Sequence, residues 1–307
     1  MRKSEKSSAV QFSGNKVIAV ELVHGEDEFE LTSSVEEESQ ENFSELFSYS
    51  SGIDPQKAYA LADAITAIRQ AGDIEAPIIS FCLDSRWVLT HSFPIDESLS
   101  DSERSDFIQW ELSNYLTPLK YKDYVTATAR LEELPTPATS LVLSASAKRD
   151  LISLFRRTTS ILGLHLAVID VDHFGAEHAL RWNYPEIQHE TVGLFGLKPS
   201  RIDASLIVRG NPIRFRSLEN LDGKVTPSFL QEFFSQSSNG KPSCKRLFMY
   251  GDKGDTSDLS MFSIGDSFSV ELLDPLRQVN LSRRLRRMEF SNFHRYAPAI
   301  GIAMRKG

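Results

Sequence analysis

The chain repeats one arrangement twice: three short strands in succession, followed by helices and further strands. The first set is predicted over 9–35, where polar turns at 13–16 and 24–27 separate mostly apolar strands. The second set is predicted over 191–218, with two similar turns. Apolar and polar residues that alternate between turn-forming residues are typical of strands. Two such meanders therefore predict a mixed α/β protein with two related halves.

Three amphipathic helices are predicted between the two meanders. The first begins at Pro55, a residue that is tolerated in the first helical turn, and ends at Gly72. The second follows Ser100, whose spacing from Glu103 is that of a capping box. The third ends at Gly163, which can adopt the left-handed conformation found at helix C-termini. Buried strands are predicted between these helices, which is the alternation of an α/β protein.

The composition limits what the chain can be. Its 307 residues suggest two domains or one large divided domain, since a domain usually has about 100–200 residues. There is no run of about 18 apolar residues, and no apolar signal-peptide segment follows the basic N-terminus. Cys82 and Cys244 lie in apolar strand-like segments, which predicts buried free thiols in a reducing compartment. We therefore expect a cytoplasmic protein.

The charge of the chain is uneven. The net charge of −8 argues against a nucleic-acid-binding protein. Eight basic residues and one acid between 275 and 307 give that segment +7, which leaves −15 for the other residues. Its densest part is a basic patch made of Arg283, Arg284, Arg286 and Arg287. Two interpretations stay open: a solvated face that pairs with the acidic body, or a contact with anionic lipid headgroups or an acidic partner.

Several short segments, taken in their order and spacing, resemble a known family. They are KVIAVEL at 16–22, LTHSFPI at 89–95, IQWELSNYLTP at 108–118, LVLSASAKRDLISLF at 141–155, LGLHLAVIDVDHFGAEHAL at 162–180, FSVELLDPLRQV at 268–279 and APAIGIAMR at 297–305. On these segments the chain is similar to PilM, of the FtsA/PilM type. PilM proteins are actin-like cytoplasmic proteins of type IV pilus assembly, related to the cytoplasmic part of type II secretion L proteins.

The resemblance implies an actin-like, ribonuclease H-like α/β fold with two lobes. It implies a first core lobe from 1–88 together with 152–190, and a small inserted α+β subdomain at 89–151. The second core lobe is then 191–307. Only about 30 residues separate the last strand of the second meander from the next predicted strand. The small clamp subdomain of the second lobe is therefore expected to be reduced or absent.

The chain departs from the family at the nucleotide site. The first phosphate loop of the family has Asp-x-Gly and then hydroxyl residues, but those places hold Gln11, Ser13, Gly14 and Asn15. The Asp-x-Gly of the second loop falls on Gly196 and Lys198. A lone lysine without a glycine-rich cradle is expected to be exposed.

Two further positions of the family's site are retained only in part. The glycines that contact adenosine are represented by Gly251 and Gly254, and a glycine pair of this kind is typical of a turn. Asp170 stands at the family's Val-Asp position and is expected at the end of a buried strand, near the cleft.

These departures predict a protein without a cofactor and without enzymatic activity, a pseudo-ATPase. Mg²⁺ is bound through one or two carboxylates together with phosphate oxygens. Gln11 and Gly196 cannot supply those carboxylates. The alternative is an ATP-binding actin-like ATPase, or an ATP-regulated switch, that uses Mg²⁺ and unusual ligands.

The segment DVDHFGAEH at 170–178 raises the possibility of a separate metal site. Its candidate ligands are Asp172, His173, Glu177 and His178. Zinc requires three or four ligands in fixed geometry. His173 and His178, five residues apart, do not share a helical face well. We therefore expect no metal.

The resemblance also implies a partner. In the family, PilM holds the short cytoplasmic N-terminal tail of PilN, a single-span inner-membrane protein, in a groove beside the inserted subdomain. A similar bitopic partner would bring this protein to the inner membrane, with only peripheral membrane contact and no nucleic acid. Trp110, Tyr115 and Leu116 are expected to help frame the groove, the alternative being core packing. Self-association, which occurs among actin relatives, stays open.

Overall fold

The structure is a computed structural model. It describes residues 5–39, 41–47, 55–115, 121–133, 138–198, 201–219, 233, 244, 246–252, 269–287 and 292–305. The described strands are β1 (Glu5–Ser13), β2 (Lys16–His24), β3 (Phe29–Glu38), β4 (Ile78–Leu83), β5 (Val88–Asp96), β6 (Tyr124–Glu133), β7 (Thr139–Lys148), β8 (His165–Val171), β9 (Thr191–Leu197), β10 (Arg201–Val208), β11 (Asn211–Glu219), β12 (Arg246–Gly251), β13 (Ser269–Leu272) and β14 (Asn280–Leu281). The described α-helices are α1 (Phe43–Leu46), α2 (Pro55–Gly72), α3 (Asp101–Tyr115), α4 (Arg149–Leu162), α5 (Asp172–Asn183) and α6 (Ala297–Ala303).

Two of the sheets share one topology. The first has the strand order β14-β3-β2-β1-β4-β8, and the second has β11-β10-β9-β12-β13. In each, an antiparallel meander of three strands is extended by two strands that run parallel to its first strand. The duplication predicted from the two meanders is therefore confirmed at the level of strand order.

The third sheet is small and antiparallel, with the order β5-β7-β6. Helix α3 lies across it and buries Leu112 against Phe93, Ile95 and Val142. Residues 89–151, where a small α+β subdomain is expected, thus hold most of this sheet and the helix that packs on it. Phe107 and Ile108 pack half-buried against the same cluster, while the other side of α3 is exposed.

Helices cover the faces of the two large sheets. α2 and α4 cover one face of the first sheet, where Phe12, Phe81 and Phe155 pack together. α6 covers the opposite face of that sheet, and α5 packs against the second sheet. α5 and α6 therefore lie side by side between the two sheets, where every residue of α6 is buried.

The two central helices approach each other through glycines. A Cβ atom added to Gly301 of α6 would lie 1.8 Å from the carbonyl oxygen of Gly175 in α5. One added to Gly175 would lie 2.5 Å from the carbonyl oxygen of Pro298. Only glycine at both positions permits this backbone-to-backbone contact.

The end of the chain returns to the first sheet. Residues up to 307 were expected in the second lobe, but β14 pairs with β3, and Ile300 of α6 packs with Ile18 of β2. The physical reason is the composition of α6, which is apolar on all sides. Such a helix must be covered on every face, and the space between the two sheets provides that cover.

Candidate functional site

A group of charged side chains lies where the two halves of the molecule meet. We call Asp84, Asp172, Lys198 and Asp203 the interlobe charge cluster. Asp84 follows β4 and Asp172 begins α5 directly after β8, so both come from the carboxyl ends of parallel strands in the first sheet. Lys198 follows β9, and Asp203 lies in β10 of the second sheet. The antiparallel pairing of β9 with β10 brings the last two residues together.

The ammonium group of Lys198 is the centre of the cluster. Its Nζ atom lies 2.6 Å from Asp203 Oδ2, 2.7 Å from Asp172 Oδ2 and 3.8 Å from Asp84 Oδ1. It also donates a hydrogen bond of 3.2 Å to Ser85 Oγ. The four charged side chains are at most 9% exposed. Lys198 was expected to be exposed, and the structure corrects this.

The cluster joins the two halves. Ser85, in the 3-10 turn Ser85–Trp87 after β4, donates to Asp203 Oδ2 of the second sheet at 2.7 Å. Asp203 also accepts a hydrogen bond from Ser217 of β11. On the other side, Arg86 pairs with Asp84 at 2.8 Å. The second-half pair of Lys198 and Asp203 is thus bound to first-half groups by ion pairs and hydrogen bonds.

Burial and charge act against each other on the pKa values of the cluster. Burial raises the pKa of Asp172 to about 7; Lys198 limits that rise, while the other two carboxylates add to it. Burial also opposes ionisation of Asp84, but Lys198 and Arg86 outweigh it and lower the pKa of Asp84 to about 2. For Lys198, burial favours the neutral amine, but the three carboxylates raise its pKa well above the ordinary value.

The charges of the cluster balance near neutral pH. Lys198 and Arg86 are cationic and Asp84 is anionic. Asp203 is anionic as well, because the attraction of Lys198 outweighs the effect of burial and lowers the pKa of its carboxyl group. Asp172, whose pKa is raised chiefly by burial, holds its proton more readily than an ordinary aspartate. The carboxylates therefore already have their counter-charge from the protein itself.

A second buried network continues from the cluster into α5. His173 shares hydrogen bonds with Tyr250 Oη at 2.9 Å and with Ser205 Oγ at 2.8 Å. Ser205 donates to Glu177 Oε1, so the imidazole Nε2 donates to Ser205 and Nδ1 accepts from Tyr250. Burial lowers the pKa of His173 to about 3, which keeps the ring neutral. Although it resembles a Ser-His-acid arrangement, the network is buried, and its members satisfy one another.

The first predicted phosphate loop is a tight hairpin turn between β1 and β2. Gly14 adopts a positive φ of 64°, and the Asn15 carbonyl accepts a hydrogen bond from the Ser39 N–H at 2.8 Å. Ser13 Oγ donates to Asp252 Oδ2 of the second half at 2.8 Å. Gln11 is buried in β1, and its Oε1 atom has no partner within the described residues.

Ser13 contacts a charged group that the sequence did not indicate, made of Asp252, Arg295 and Glu36. Asp252 accepts from Arg295 at 3.0 Å, and Arg295 also pairs with Glu36 of β3 at 2.8 Å. These contacts make a second charged link between the halves. Asp252 follows Gly251 in the segment GDKG, where only the glycines had been considered.

The glycines of the predicted site serve strand packing. A Cβ on Gly196 would lie 2.4 Å from Tyr250 Oη, and one on Gly251 would lie 2.3 Å from the Leu197 carbonyl oxygen. Gly251 also has a positive φ of 109°. Gly254 lies outside the described residues.

Asp170, the family's Val-Asp position, is tied to the end of the chain. Its side chain pairs with Arg305, which also donates to the Phe174 carbonyl at 3.1 Å. The acid that reaches the cluster is instead Asp172. Asp172 and His173, considered as metal ligands, bind Lys198 and Tyr250 respectively, and the described residues contain no group of ligands that could hold a metal ion.

Helix α3 carries exposed aromatic residues. We call Trp110 and Tyr115 the aromatic face; Phe107, which is half-buried, packs on the small sheet and contacts the Trp110 ring at a centroid distance of 5.8 Å. Trp110 is 58% exposed and Tyr115 is 45% exposed. The Tyr115 ring stacks on His91 at 4.0 Å, and its hydroxyl donates to the Thr90 carbonyl at 3.2 Å. Core packing is therefore excluded for these two side chains, and Leu116 lies outside the described residues.

No protein-family model matches this sequence, and no curated protein matches it. A chain of the PilM–PilN type IV pilus biogenesis complex aligns with 97% of each chain, at a TM-score of 0.76 and 14% identity. A Bacteroides thetaiotaomicron protein with an actin-like ATPase fold and unknown function aligns with 91% of this chain and 94% of that chain, at a TM-score of 0.50 and 11% identity.

The cytoplasmic domain of EpsL, an inner-membrane component of the type II secretion system of Vibrio cholerae, aligns with 91% of this chain and 89% of that domain. Its TM-score is 0.47 and its identity 10%. The likeness to the first two structures confirms the actin-like two-lobed α/β fold and, at the level of fold, the resemblance to PilM. Among the described helices, none is long and apolar enough to cross a membrane.

Proposed function

We propose that this protein is a non-catalytic actin-like scaffold of an inner-membrane assembly platform, in a type IV pilus or a type II secretion system. One observation carries the non-catalytic part. Lys198, at a position of the predicted second phosphate loop, places its ammonium group among three buried carboxylates. A cation fixed to the chain thus stands at the predicted nucleotide site.

The cluster disfavours Mg²⁺-ATP for electrostatic reasons. The ion needs carboxylates that are free to neutralise it, but here they already pair with Lys198 and Arg86. A nucleotide between the halves would also have to separate buried ion pairs. Removing the partner of a buried charge costs about 3–5 kcal/mol, which binding would have to offset.

The binding part of the proposal concerns the aromatic face. Large aromatic side chains in contact with solvent are typical of the anchoring residues of protein interfaces. Tyr115 is held in place by His91 and Thr90, so it presents a fixed surface. We propose that the occupant is the cytoplasmic tail of a PilN-like bitopic inner-membrane protein, bound as an extended peptide. The fold likeness to the PilM–PilN complex supports this choice.

The cellular location follows from the proposed partner. A protein that holds the cytoplasmic tail of a bitopic protein lies on the cytoplasmic side of the inner membrane. It reaches the membrane through that partner, as a peripheral component. Nothing in this role requires a nucleotide, a metal or a nucleic acid.

The alternative function is an ATP-binding ATPase or an ATP-regulated switch in the same machinery. It is favoured by Gln11, whose buried Oε1 lacks a partner among the described residues at the predicted first phosphate loop. Calorimetric titration with MgATP separates the two functions. The scaffold predicts no measurable heat of binding, whereas micromolar affinity would establish the alternative.

The partner is tested by capture. The tail of a bitopic protein encoded beside this one, made as a peptide, should bind the wild type and bind the Trp110→Ala variant at least tenfold more weakly. Tyr59→Ala is the matched control, since Tyr59 is 56% exposed on α2, away from the small sheet. Equal losses in the two variants would refute the role of the aromatic face.

A further inference from the structure

The four arginines predicted as a basic patch surround one buried leucine. We call Arg283, Arg284, Arg286 and Arg287 the arginine patch. All four are exposed, whereas Leu285 between them is 2% exposed and packs into the core under the first sheet. The guanidinium groups therefore project from a fixed frame.

The backbone of the patch is anchored to the first sheet at its start and closed by a hydrogen bond within its own turn. Ser282 N–H donates to the Leu31 carbonyl of β3 at 3.0 Å, directly after the pairing of β14 with β3. Arg286 N–H then donates to the Ser282 carbonyl at 3.0 Å, within the turn that includes the 3-10 segment Leu285–Arg287. Little conformational entropy remains to be lost from this backbone when a ligand binds.

The arginines are largely free of acidic partners in the part of the chain that the structure describes. There, Arg284 makes the ion pair of the patch, with Asp73 at 3.1 Å, and both side chains are more than half exposed. Exposed pairs of this kind exchange readily for other partners. Arg286 uses its Nε atom to donate to the Leu281 carbonyl at 2.8 Å, and none of the acids that the structure describes pairs with its terminal nitrogens.

The patch lies far from the interlobe charge cluster. Asp73 precedes β4 and Asp84 follows it, so the two sites lie at opposite ends of this six-residue strand, about 20 Å apart. The small sheet is also connected to the first sheet at the Asp84 end of β4, through the turn Ser85–Trp87 that leads into β5. A ligand on the patch therefore does not cover the cluster or the aromatic face.

We propose that the arginine patch binds the phosphate groups of an anionic membrane surface and holds the first half of the protein against it. Arginine suits this ligand because its planar guanidinium donates two hydrogen bonds to one phosphate. The choice of a membrane over an acidic protein rests on the proposed function, which places the chain beneath the inner membrane.

The net charge of −8 does not prevent this contact. Charges on the far side of the molecule are screened, because the Debye length is only about 8 Å at physiological salt. Because the residues outside 275–307 sum to −15, the segment that carries the patch is the part of the chain that an anionic surface attracts most. A tail-bound protein would thus meet the membrane with one face.

The test uses the wild-type protein alone, with sedimented vesicles of phosphatidylcholine, with or without phosphatidylglycerol. We expect binding only to the vesicles with phosphatidylglycerol. Changing Arg286 and Arg287 together to Ser should lower the partition coefficient about 25-fold, since each basic residue near an anionic surface contributes about fivefold. The matched control changes Arg156 and Arg157, an exposed pair on α4, to Ser, and should lose less than threefold.

Several outcomes would overturn the proposal. They are equal binding to both kinds of vesicle, an equal loss in the control variant, or patch-dependent binding of polyaspartate without vesicle binding. The last result would assign the patch to an acidic protein instead. Circular dichroism confirms that each variant is folded. Because no tail peptide is present, failure here leaves the capture experiment unaffected, and failure of capture leaves vesicle binding intact.

Discussion

The interlobe charge cluster and the arginine patch both crowd charges together, but the protein treats them in opposite ways. In the cluster, one ammonium group serves three carboxylates, all nearly out of water. In the patch, four guanidinium groups face solvent around one buried leucine. A buried charge has to be paired, whereas an exposed one is hydrated and stays available. The crowded charges of the interlobe charge cluster therefore indicate that the two halves are held together, whereas those of the arginine patch indicate binding to an external partner.

The strongest test of this contrast removes the central cation. Lys198→Met should lower the free energy of unfolding by about 3–5 kcal/mol, because Asp84 and Asp203 lose a buried counter-charge. Urea unfolding measures the loss. Lys16→Met is the matched control, since Lys16 is 37% exposed and pairs with Glu36 at 3.5 Å; it should cost less than about 1 kcal/mol. Similar losses in the two variants would mean that burial does not set the strength of these pairs.

The pH dependence of stability sharpens the contrast, because burial raises the pKa of an acid toward neutrality, whereas an exposed acid titrates at about pH 4. The pKa of Asp172 is about 7 in the folded state, against an ordinary value of 3.8. Between these values the folded state holds a proton that the unfolded state has lost, so this group makes stability fall as pH rises toward 7. The substitution Asp172→Asn removes the titrating carboxyl group and therefore removes this decrease in stability with rising pH.

Relative to the wild type, the Asp172→Asn variant should therefore gain about 2–3 kcal/mol between pH 5 and pH 7.5. Unfolding curves at both pH values provide the measurement. His173, whose pKa is lowered to about 3, acts in the opposite direction between that pH and 6.5, but it does so in both proteins and cancels in the difference. A difference independent of pH would contradict the assignment.

Substitution of Gln11 shows whether removing a buried polar group near the cleft always lowers the stability of the folded protein. Its Oε1 has no partner among the described residues, so Gln11→Leu should change stability by less than about 1 kcal/mol, toward stabilisation. Thermal unfolding is the measurement. A loss of several kcal/mol would show that the amide has a partner in solution, and would strengthen the nucleotide-binding alternative.

The smallest effect is expected at the patch. A double-mutant cycle of Arg284→Ser and Asp73→Ser should give a coupling below about 0.5 kcal/mol, because both groups are more than half exposed. The cycle is read from urea unfolding. A coupling of about 3–5 kcal/mol, the loss expected for Lys198→Met, would remove the distinction between the two regions.

The sequence predicts the fold well because the fold depends on local patterns. The alternation of apolar and polar residues over 28–35 and the helical stripe of α2 are properties of neighbouring residues, and the shared strand order of the two large sheets follows from the repeated meander. The end of the chain was placed in the wrong half because α6 is short and apolar throughout, so its pattern does not indicate which sheet it covers.

The interlobe charge cluster could not be predicted in the same way. Asp84, Asp172 and Lys198 come from three separate elements and meet only when the halves pack together. One local signal existed: Asp203 lies in the otherwise apolar strand RIDASLIV, where an acid requires a buried partner. For Trp110 the sequence left two positions open, a groove or the core, because an aromatic residue on a helix more often faces the core; the exposure of its side chain in the structure decides against the core.

The glycine contact between α5 and α6 has a mechanical consequence. Gly175 and Gly301 bring the two helices together backbone on backbone, so no side chain lies between them to be rearranged by a rotamer change. A methyl group at either position would clash with the facing helix and force α5 and α6 apart, which would also separate the charged residues that link the two halves. The distance between the two lobes therefore depends on the absence of a side chain at Gly175 and at Gly301.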